Sequence, residues 1–176
     1  MATASSDPAS ARVALVIGAG DSTGGAIAKR FACEGYVACV TRRTADKLQP
    51  LVDDIRAAGG QAHGFASDAR KEEDVVALVE QIERDIGPIE VLVFNIGANV
   101  PCSILDETAR KYFKIWEVAC FSGFLNARAV ARRQVARGRG TSLFTGATAG
   151  LRGSAGFAAF AGAKHALRAL AQSMAR

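Results

Sequence analysis

A glycine-rich segment carries the most specific chemistry in this sequence. The segment Gly18-Ala-Gly-Asp-Ser-Thr-Gly24-Gly25 joins a short apolar run, residues 12–17, to a stretch of helical periodicity, residues 23–34. In a turn between a strand and a helix, the free N–H groups of the helix face the crevice, and glycines let a pyrophosphate approach the backbone. An ordinary glycine-rich turn is the alternative. The spacing predicts a dinucleotide phosphate site formed by Gly18, Gly20, Ser22, Thr23 and Gly24.

Two arginines follow the second apolar run, residues 37–41. At the end of this strand an acidic residue would bind the ribose 2′-hydroxyl of NAD, but the sequence has Arg42 and Arg43 there. Guanidinium groups suit a 2′-phosphate because they form charge-assisted, bidentate hydrogen bonds with it. The pair therefore favours NADP over NAD as the cofactor, the alternative being a solvated basic turn.

Apolar runs alternate with stretches of helical periodicity along the chain. The predicted strands are at residues 12–17, 37–41, 61–66, 91–94 and 142–145, and the predicted helices are at residues 23–34, 45–58, 72–86, 107–136 and 157–176. A break near Arg110 is one alternative for the helix at 107–136. Such alternation builds βαβ units and a parallel sheet covered on both faces. We expect residues 1–11 to form a flexible tail and residues 12–176 to form one α/β domain.

Composition and charge exclude several other classes of protein. With 49% apolar residues and a net charge of only +5, the chain does not have the composition of a disordered protein. We expect no nucleic-acid partner, because the arginines are dispersed and no aromatic residues interleave with them. No apolar run is long enough for a membrane span. Because the cysteines and histidines lack metal-ligand spacing and residues 1–10 lack an apolar signal core, we expect no metal and a cytoplasmic location.

From about residue 12 to its end, the sequence resembles a short-chain dehydrogenase/reductase. The features that carry the resemblance are the Gly18 to Gly24 turn, Asp68 after the third strand, Phe94-Asn95-Ile-Gly97 after the fourth, and Phe160-Ala-Gly-Ala-Lys164 in the last helix. The resemblance implies an oxidoreductase with a Rossmann-like, doubly wound sheet of strand order 3-2-1-4-5, and the arginine pair leads us to expect that its cofactor is NADP. It also implies that Asp68 holds the adenine and that Asn95 and Gly97 lie along the cofactor.

The active site departs from the pattern of that family. The family's proton relay resembles a set of Asn, Ser, Tyr and Lys, and the matching positions here are Cys120, Ala147, Phe160 and Lys164. Lys164 alone is retained, and the resemblance implies that it holds the nicotinamide ribose. Phenylalanine has no ionisable proton, so Phe160 cannot act as an acid or a base. The usual relay is therefore absent.

Three interpretations of this altered site stay open at this point. Hydride transfer takes place with another proton donor, for which the candidates are the hydroxyls of Thr145 and Thr148 or a water held by Lys164. Alternatively, the chain is a pseudoenzyme, a non-catalytic NADP-binding sensor or interaction protein. In the third interpretation the substrate needs no protein acid, as with an activated double bond. The sequence does not identify the substrate.

The end of the chain also differs from the family pattern. The resemblance implies that relatives continue into further strands and a loop over the substrate, so we expect this chain to lack the family's last strands. In the family, the helices matching residues 107–136 and 157–176 pack against a second subunit. We therefore expect a homo-oligomer formed through these two helices.

Overall fold

Five parallel strands form the centre of the fold in the computed structural model, which describes residues 11–176. The strands are β1 (Val13–Ile17), β2 (Val37–Arg42), β3 (Gln61–Ala66), β4 (Ile89–Phe94) and β5 (Thr141–Phe144). Their order in the sheet is β3-β2-β1-β4-β5, and each neighbouring pair is parallel. The predicted fold class and strand order are confirmed. Residues 1–10 of the expected tail lie outside the described residues, and the division into a tail and a domain stays a prediction.

Six α-helices connect and follow these strands. They are α1 (Thr23–Cys33), α2 (Gln49–Ala57), α3 (Glu72–Asp85), α4 (Ala109–Trp116), α5 (Ser122–Arg137) and α6 (Ala158–Met174). A short 3₁₀ turn, Ala45–Leu48, leads into α2, and another, Thr148–Gly150, precedes α6. None of the helices in the described residues is long and apolar enough to cross a membrane.

The long helical stretch is irregular at a different place from the one considered in the sequence. Arg110 lies in the first turn of α4, and the Thr108 hydroxyl caps that helix by accepting the Lys111 N–H at 3.2 Å. The alternative prediction of a break near Arg110 is therefore wrong. The irregularity is a π-helical turn at Glu117–Phe121, where α4 passes into α5. Single π turns inside long helices are frequent at functional sites.

The central strands β1, β2 and β4 are buried, as expected for a parallel sheet between two helical layers, whereas the edge strands β3 and β5 are partly exposed. Side chains of β1 alternate between two apolar clusters: Leu15 and Ile17 pack with Leu78, Ile82 and Phe94 on one face. Ala14 and Val16 pack on the other face, against residues of α1, α2, β2 and β4, which include Ala28, Val40, Val52, Ile55 and Val93. Burial therefore determines to which face of the sheet each side chain of a strand points, and the packed sheet forms a rigid support for the loops at its edge.

The carboxyl ends of the strands meet at one edge of the sheet and are joined there by backbone hydrogen bonds. The N–H groups of Gly18 and Ala19 donate to the Thr41 carbonyl, and the Asn95 N–H donates to the Ile17 carbonyl at 2.9 Å. The Thr145 N–H donates to the Phe94 carbonyl at 2.9 Å. The loops after β1, β2, β4 and β5 are therefore held side by side, where a ligand of an open α/β sheet binds.

Candidate functional site

The glycine turn after β1 is packed so closely that two of its glycines cannot be replaced. Gly18 has a φ of +86°, a conformation that residues with a side chain rarely adopt. A Cβ on Gly24 would lie 2.4 Å from the Gly18 carbonyl oxygen, so the first turn of α1 rests directly on the end of β1. The Asn95 side chain donates to that same Gly18 oxygen at 3.2 Å. The turn is therefore preformed.

The amino end of α1 has the features of an anion site. Ser22 occupies the N-cap position, but its side chain makes no capping hydrogen bond, and the first turn holds no acidic residue. A Cβ built on Gly20 would meet no atom within 4 Å, so open space lies over the turn. Since helix N–H groups and the helix dipole favour negative charge, the turn fits the pyrophosphate of a dinucleotide. Thr23, the first helical residue, belongs to the same turn.

The two arginines after β2 lie next to this turn. Arg42 is the last residue of β2, and its Nη1 donates to the Asp21 carboxylate at 3.1 Å and to the Lys47 carbonyl at 3.2 Å. Arg43 is exposed, and its charge lowers the pKa of Asp68. The structure thus brings Arg42 and Arg43 to the sheet edge as the sequence predicted. The hydrogen bond that Arg42 donates to Asp21 was not predicted.

Asp68 follows β3 and is held by an arginine that the sequence analysis missed. Arg70 Nε donates to Asp68 Oδ1 at 2.8 Å, its Nη2 donates to Oδ2, and its backbone N–H donates to Oδ1 at 3.2 Å. These bonds lower the pKa of Asp68 to about 2, with a smaller contribution from the charge of Arg43. The carboxylate is therefore ionised and fixed in one orientation. The only sequence signal for Arg70 is its position two residues after Asp68.

Lys164 lies at the centre of a hydrogen-bonded network. Its side chain is buried, and Nζ donates to the Thr145 carbonyl at 2.7 Å and to the Ile96 carbonyl at 3.3 Å. Burial lowers the pKa of this ammonium group. The Thr145 hydroxyl donates to Asn95 Oδ1 at 2.8 Å, and Asn95 in turn donates to the Gly18 carbonyl. Four predicted site residues are thus joined from α6 to the glycine turn.

The three replaced relay positions lie together in one apolar cluster. Phe160 and Cys120 are buried in it, and Ala147 packs against it. The other buried members are Ile115, Ala119, Ala159 and Ala163. Desolvation raises the pKa of the Cys120 thiol, and the nearby Lys164 charge opposes this effect. Apart from Cys120, none of these cluster residues has an ionisable side chain.

Gly97 lies beside Lys164, and Thr148 lies in the turn before α6. A Cβ on Gly97 would lie 3.8 Å from the Phe160 ring and 3.9 Å from Lys164 Nζ. Thr148 is exposed and begins the 3₁₀ turn before α6, and among the hydrogen bonds of residues 11–176 its side chain makes none. The hydroxyl of Thr145 is engaged by Asn95, whereas that of Thr148 is directed by no such contact.

Comparison with known proteins decides the family. The family model described as short chain dehydrogenase matches residues 12–176, which is nearly the whole chain. The chain belongs to the short-chain dehydrogenase family. Within the described residues, no group of three His, Cys, Asp or Glu side chains is placed to hold a metal ion.

Solved structures and curated relatives of this family resemble the chain closely. A short-chain dehydrogenase from Rhodopseudomonas palustris is 51% identical, with a TM-score of 0.87 over 94% of this chain and 77% of its own. A metagenomic short-chain oxidoreductase in complex with NADP is 28% identical, with a TM-score of 0.88 over 95% of this chain and 76% of its own. A short-chain dehydrogenase/reductase of Armillaria gallica is 29% identical over 96% of this chain and 66% of its own. The chain thus spans about two thirds of that curated relative's length.

Proposed function

We propose that this short-chain dehydrogenase is an NADP-dependent oxidoreductase with an atypical catalytic site. The observation that carries the proposal is the preformed turn after β1, whose uncapped helix opens beside the guanidinium of Arg42. A dinucleotide pyrophosphate fits the turn because the chain presents backbone N–H groups there. A 2′-phosphate fits Arg42 and Arg43 for reasons of charge and hydrogen bonding.

The proposed cofactor site follows the carboxyl edge of the sheet. The turn would hold the pyrophosphate, the arginines the 2′-phosphate, and the ionised Asp68 would accept a hydrogen bond from the adenine amino group. The relative that is 28% identical binds NADP, which supports the same cofactor here. The residues proposed to hold the cofactor are Gly18, Gly20, Ser22, Thr23, Gly24, Arg42, Arg43, Asp68, Asn95, Gly97 and Lys164.

The chemistry is proposed to rest on Lys164. When bound, the nicotinamide supplies or accepts the hydride. Lys164 is anchored through the carbonyls of Thr145 and Ile96, and it keeps one ammonium proton beyond those two bonds for the cleft. Its pKa is lowered by burial, which makes it a better proton source for a bound water than an exposed lysine. Thr148 is the second candidate donor, and Thr145 positions Lys164 and Asn95.

A non-catalytic NADP-binding protein is the second candidate function. It is favoured by the apolar cluster of Phe160, Cys120 and Ala147, which lies where the family's relay has polar groups. In that case the site would bind the cofactor and carry out no turnover. The expected cytoplasmic location stays a prediction.

Restoring two relay positions separates the two candidates. Phe160→Tyr combined with Ala147→Ser supplies the missing hydroxyls beside Lys164. If NADPH is bound in a productive orientation, we expect reductase activity on simple carbonyl compounds to rise about 100-fold, the usual contribution of a placed general acid. The measurement is NADPH oxidation by absorbance, with Phe157→Tyr combined with Ala155→Ser as a control near the same helix.

The outcomes of this experiment are distinct. A rise in the double variant together with measurable turnover by the natural chain supports the atypical enzyme. Intact NADPH binding with no turnover by the natural chain, whether or not the double variant is active, would contradict catalysis and favour the non-catalytic protein.

A further inference from the structure

The Asp21 carboxylate is bound to the guanidinium of Arg42, the group that the proposed function assigns to the 2′-phosphate of the cofactor. Asp21 lies in the turn between β1 and α1, and its carboxylate accepts a hydrogen bond from Arg42 Nη1 at 3.1 Å. The Asp21 side chain is 92% exposed, whereas that of Arg42 is 28% exposed. The arginine is therefore held by the fold, and the carboxylate is the partner that is free to move away.

Arg42 has a second contact that does not involve Asp21. Nη1 also donates to the Lys47 carbonyl at 3.2 Å, in the 3₁₀ turn that precedes α2. The strand end that carries Arg42 is joined to the glycine turn, since the Thr41 carbonyl accepts the N–H groups of Gly18 and Ala19. The Arg42 guanidinium thus has one bond to the backbone besides its bond to Asp21, and the strand end that carries it is fixed to the glycine turn.

We propose that Asp21 is a specificity-determining residue that competes with a 2′-phosphate for Arg42 and so limits the preference for NADP over NAD. This inference rests on the proposed cofactor site. A phosphate monoester carries a charge of about −1.5 to −2 at neutral pH and offers three strong acceptors, so it displaces a single carboxylate from a guanidinium. The Asp21–Arg42 bond must first be broken, and the displaced carboxylate then repels the phosphate.

A cofactor without the 2′-phosphate binds without breaking the hydrogen bond between Arg42 and Asp21. NADH leaves the ion pair intact, and its ribose hydroxyl is a neutral partner. Asp21 therefore acts selectively against the phosphorylated cofactor, although the residue lies in the turn that both cofactors share. Its effect is of the size of an exposed ion pair, which corresponds to about a two- to fivefold change in a binding constant.

Replacing the carboxylate by an amide tests the competition directly. We expect Asp21→Asn to bind NADPH about two- to fivefold more tightly, with the dissociation constant of NADH changed by less than about 1.5-fold. Binding is measured by calorimetric titration of each cofactor into the full chain. Asp54→Asn is the matched control: it removes the same charge from another exposed ion pair, Asp54 with Lys29, and should leave both constants unchanged.

Arg42→Ala separates failure of this inference from failure of the proposed cofactor site. If Arg42→Ala weakens NADPH no more than NADH, the proposed 2′-phosphate site is wrong. If Arg42→Ala acts selectively on NADPH while Asp21→Asn gives no gain, the site stands and the competition by Asp21 is refuted. In the Arg42→Ala background the gain from Asp21→Asn should shrink, and an undiminished gain there would also overturn the competition.

Discussion

At the scale of single residues, the site is organised by pairs of charged and polar side chains that lie close in space. Arg70 holds Asp68, Asn95 receives the Thr145 hydroxyl, and Lys164 binds two backbone carbonyls. Each pair fixes the rotamer of a group that faces the sheet edge. The structure therefore positions these groups without help from a ligand, which lowers the cost of ordering them on binding.

The Asp68–Arg70 pair predicts a specific dependence of stability on pH. The pKa of Asp68 is lowered to about 2, below its value of about 3.9 in an unfolded chain. A depressed carboxyl pKa stabilises the folded state above pH 4, and this contribution is lost as the pH falls from about 4 to 2. We expect Asp68→Asn to lower the free energy of unfolding by about 1–2 kcal/mol near neutral pH, with a smaller difference at pH 3.

Urea denaturation at pH 7 and pH 3 measures this effect. Asp85→Asn is the control, because Asp85 also accepts two bonds from an arginine, Arg84, but on the exposed surface of α3. Its effect should be small at both values of pH. Equal losses for both variants, or a loss for Asp68→Asn that does not depend on pH, would contradict the assigned ion pair.

At the scale of elements, hydrophobic periodicity located the strands and the helical stretches because burial against the core determines the pattern of apolar residues, but it did not divide residues 107–136 into α4 and α5. In β1 every residue is apolar and buried. In α3 the apolar residues Val75, Leu78 and Ile82 lie on one face of the helix and are buried. The π turn at Glu117–Phe121 could not be predicted in this way. It depends on local packing and on the Ser122 hydroxyl donating to the Val118 carbonyl, not on periodicity.

The candidate site was predictable only in part, for a related reason. Gly18 and Asn95 directly follow the ends of β1 and β4, and Lys164 lies in α6. The sequence motifs and the order of the strands and helices were therefore enough to predict these three residues. The contact of Asp21 with Arg42 joins residues 21 positions apart, and its existence depends on side-chain directions across two loops. Neither composition nor spacing carries that information.

The helices α4, α5 and α6 leave an apolar surface that predicts self-association. Aromatic rings follow one another along it, with centroids 5.9 Å apart for Phe113 and Trp116 and 5.7 Å apart for Trp116 and Phe121. Val135 of α5 is 80% exposed and lies beside Met174 of α6 in an apolar groove. Surfaces of this kind mark protein contacts. These elements belong to the proposed homo-oligomer interface, residues 107–136 and 157–176.

A charge placed on this surface should break the association. We expect the natural chain to be at least dimeric by light scattering after gel filtration, and Val135→Asp to shift it towards the monomer, since an unpaired buried charge is costly in an interface. Leu151→Asp is the control, because Leu151 is also apolar and exposed but lies in the loop before α6. A natural chain that is monomeric at micromolar concentration, or an equal shift in both variants, would contradict the proposed interface.

At the scale of the whole molecule, residues 11–176 join a five-stranded parallel sheet to a buried lysine, Lys164, that lies beside an apolar cluster. The chain spans 77% of the Rhodopseudomonas palustris structure and 66% of the Armillaria gallica protein. We propose that the carboxyl edge of this sheet holds a dinucleotide with a 2′-phosphate.

Calorimetric titration of the chain with NADPH and NADH tests this claim most directly. We predict saturable binding of NADPH that is tighter than that of NADH. Arg42→Ala combined with Arg43→Ala should weaken NADPH by about tenfold or more and change NADH far less, because charge-assisted bonds to the phosphate are lost. Arg132→Ala combined with Arg133→Ala removes the same two charges from α5 and should change neither constant. No binding at millimolar NADPH, or an equal loss for both cofactors, would contradict the account.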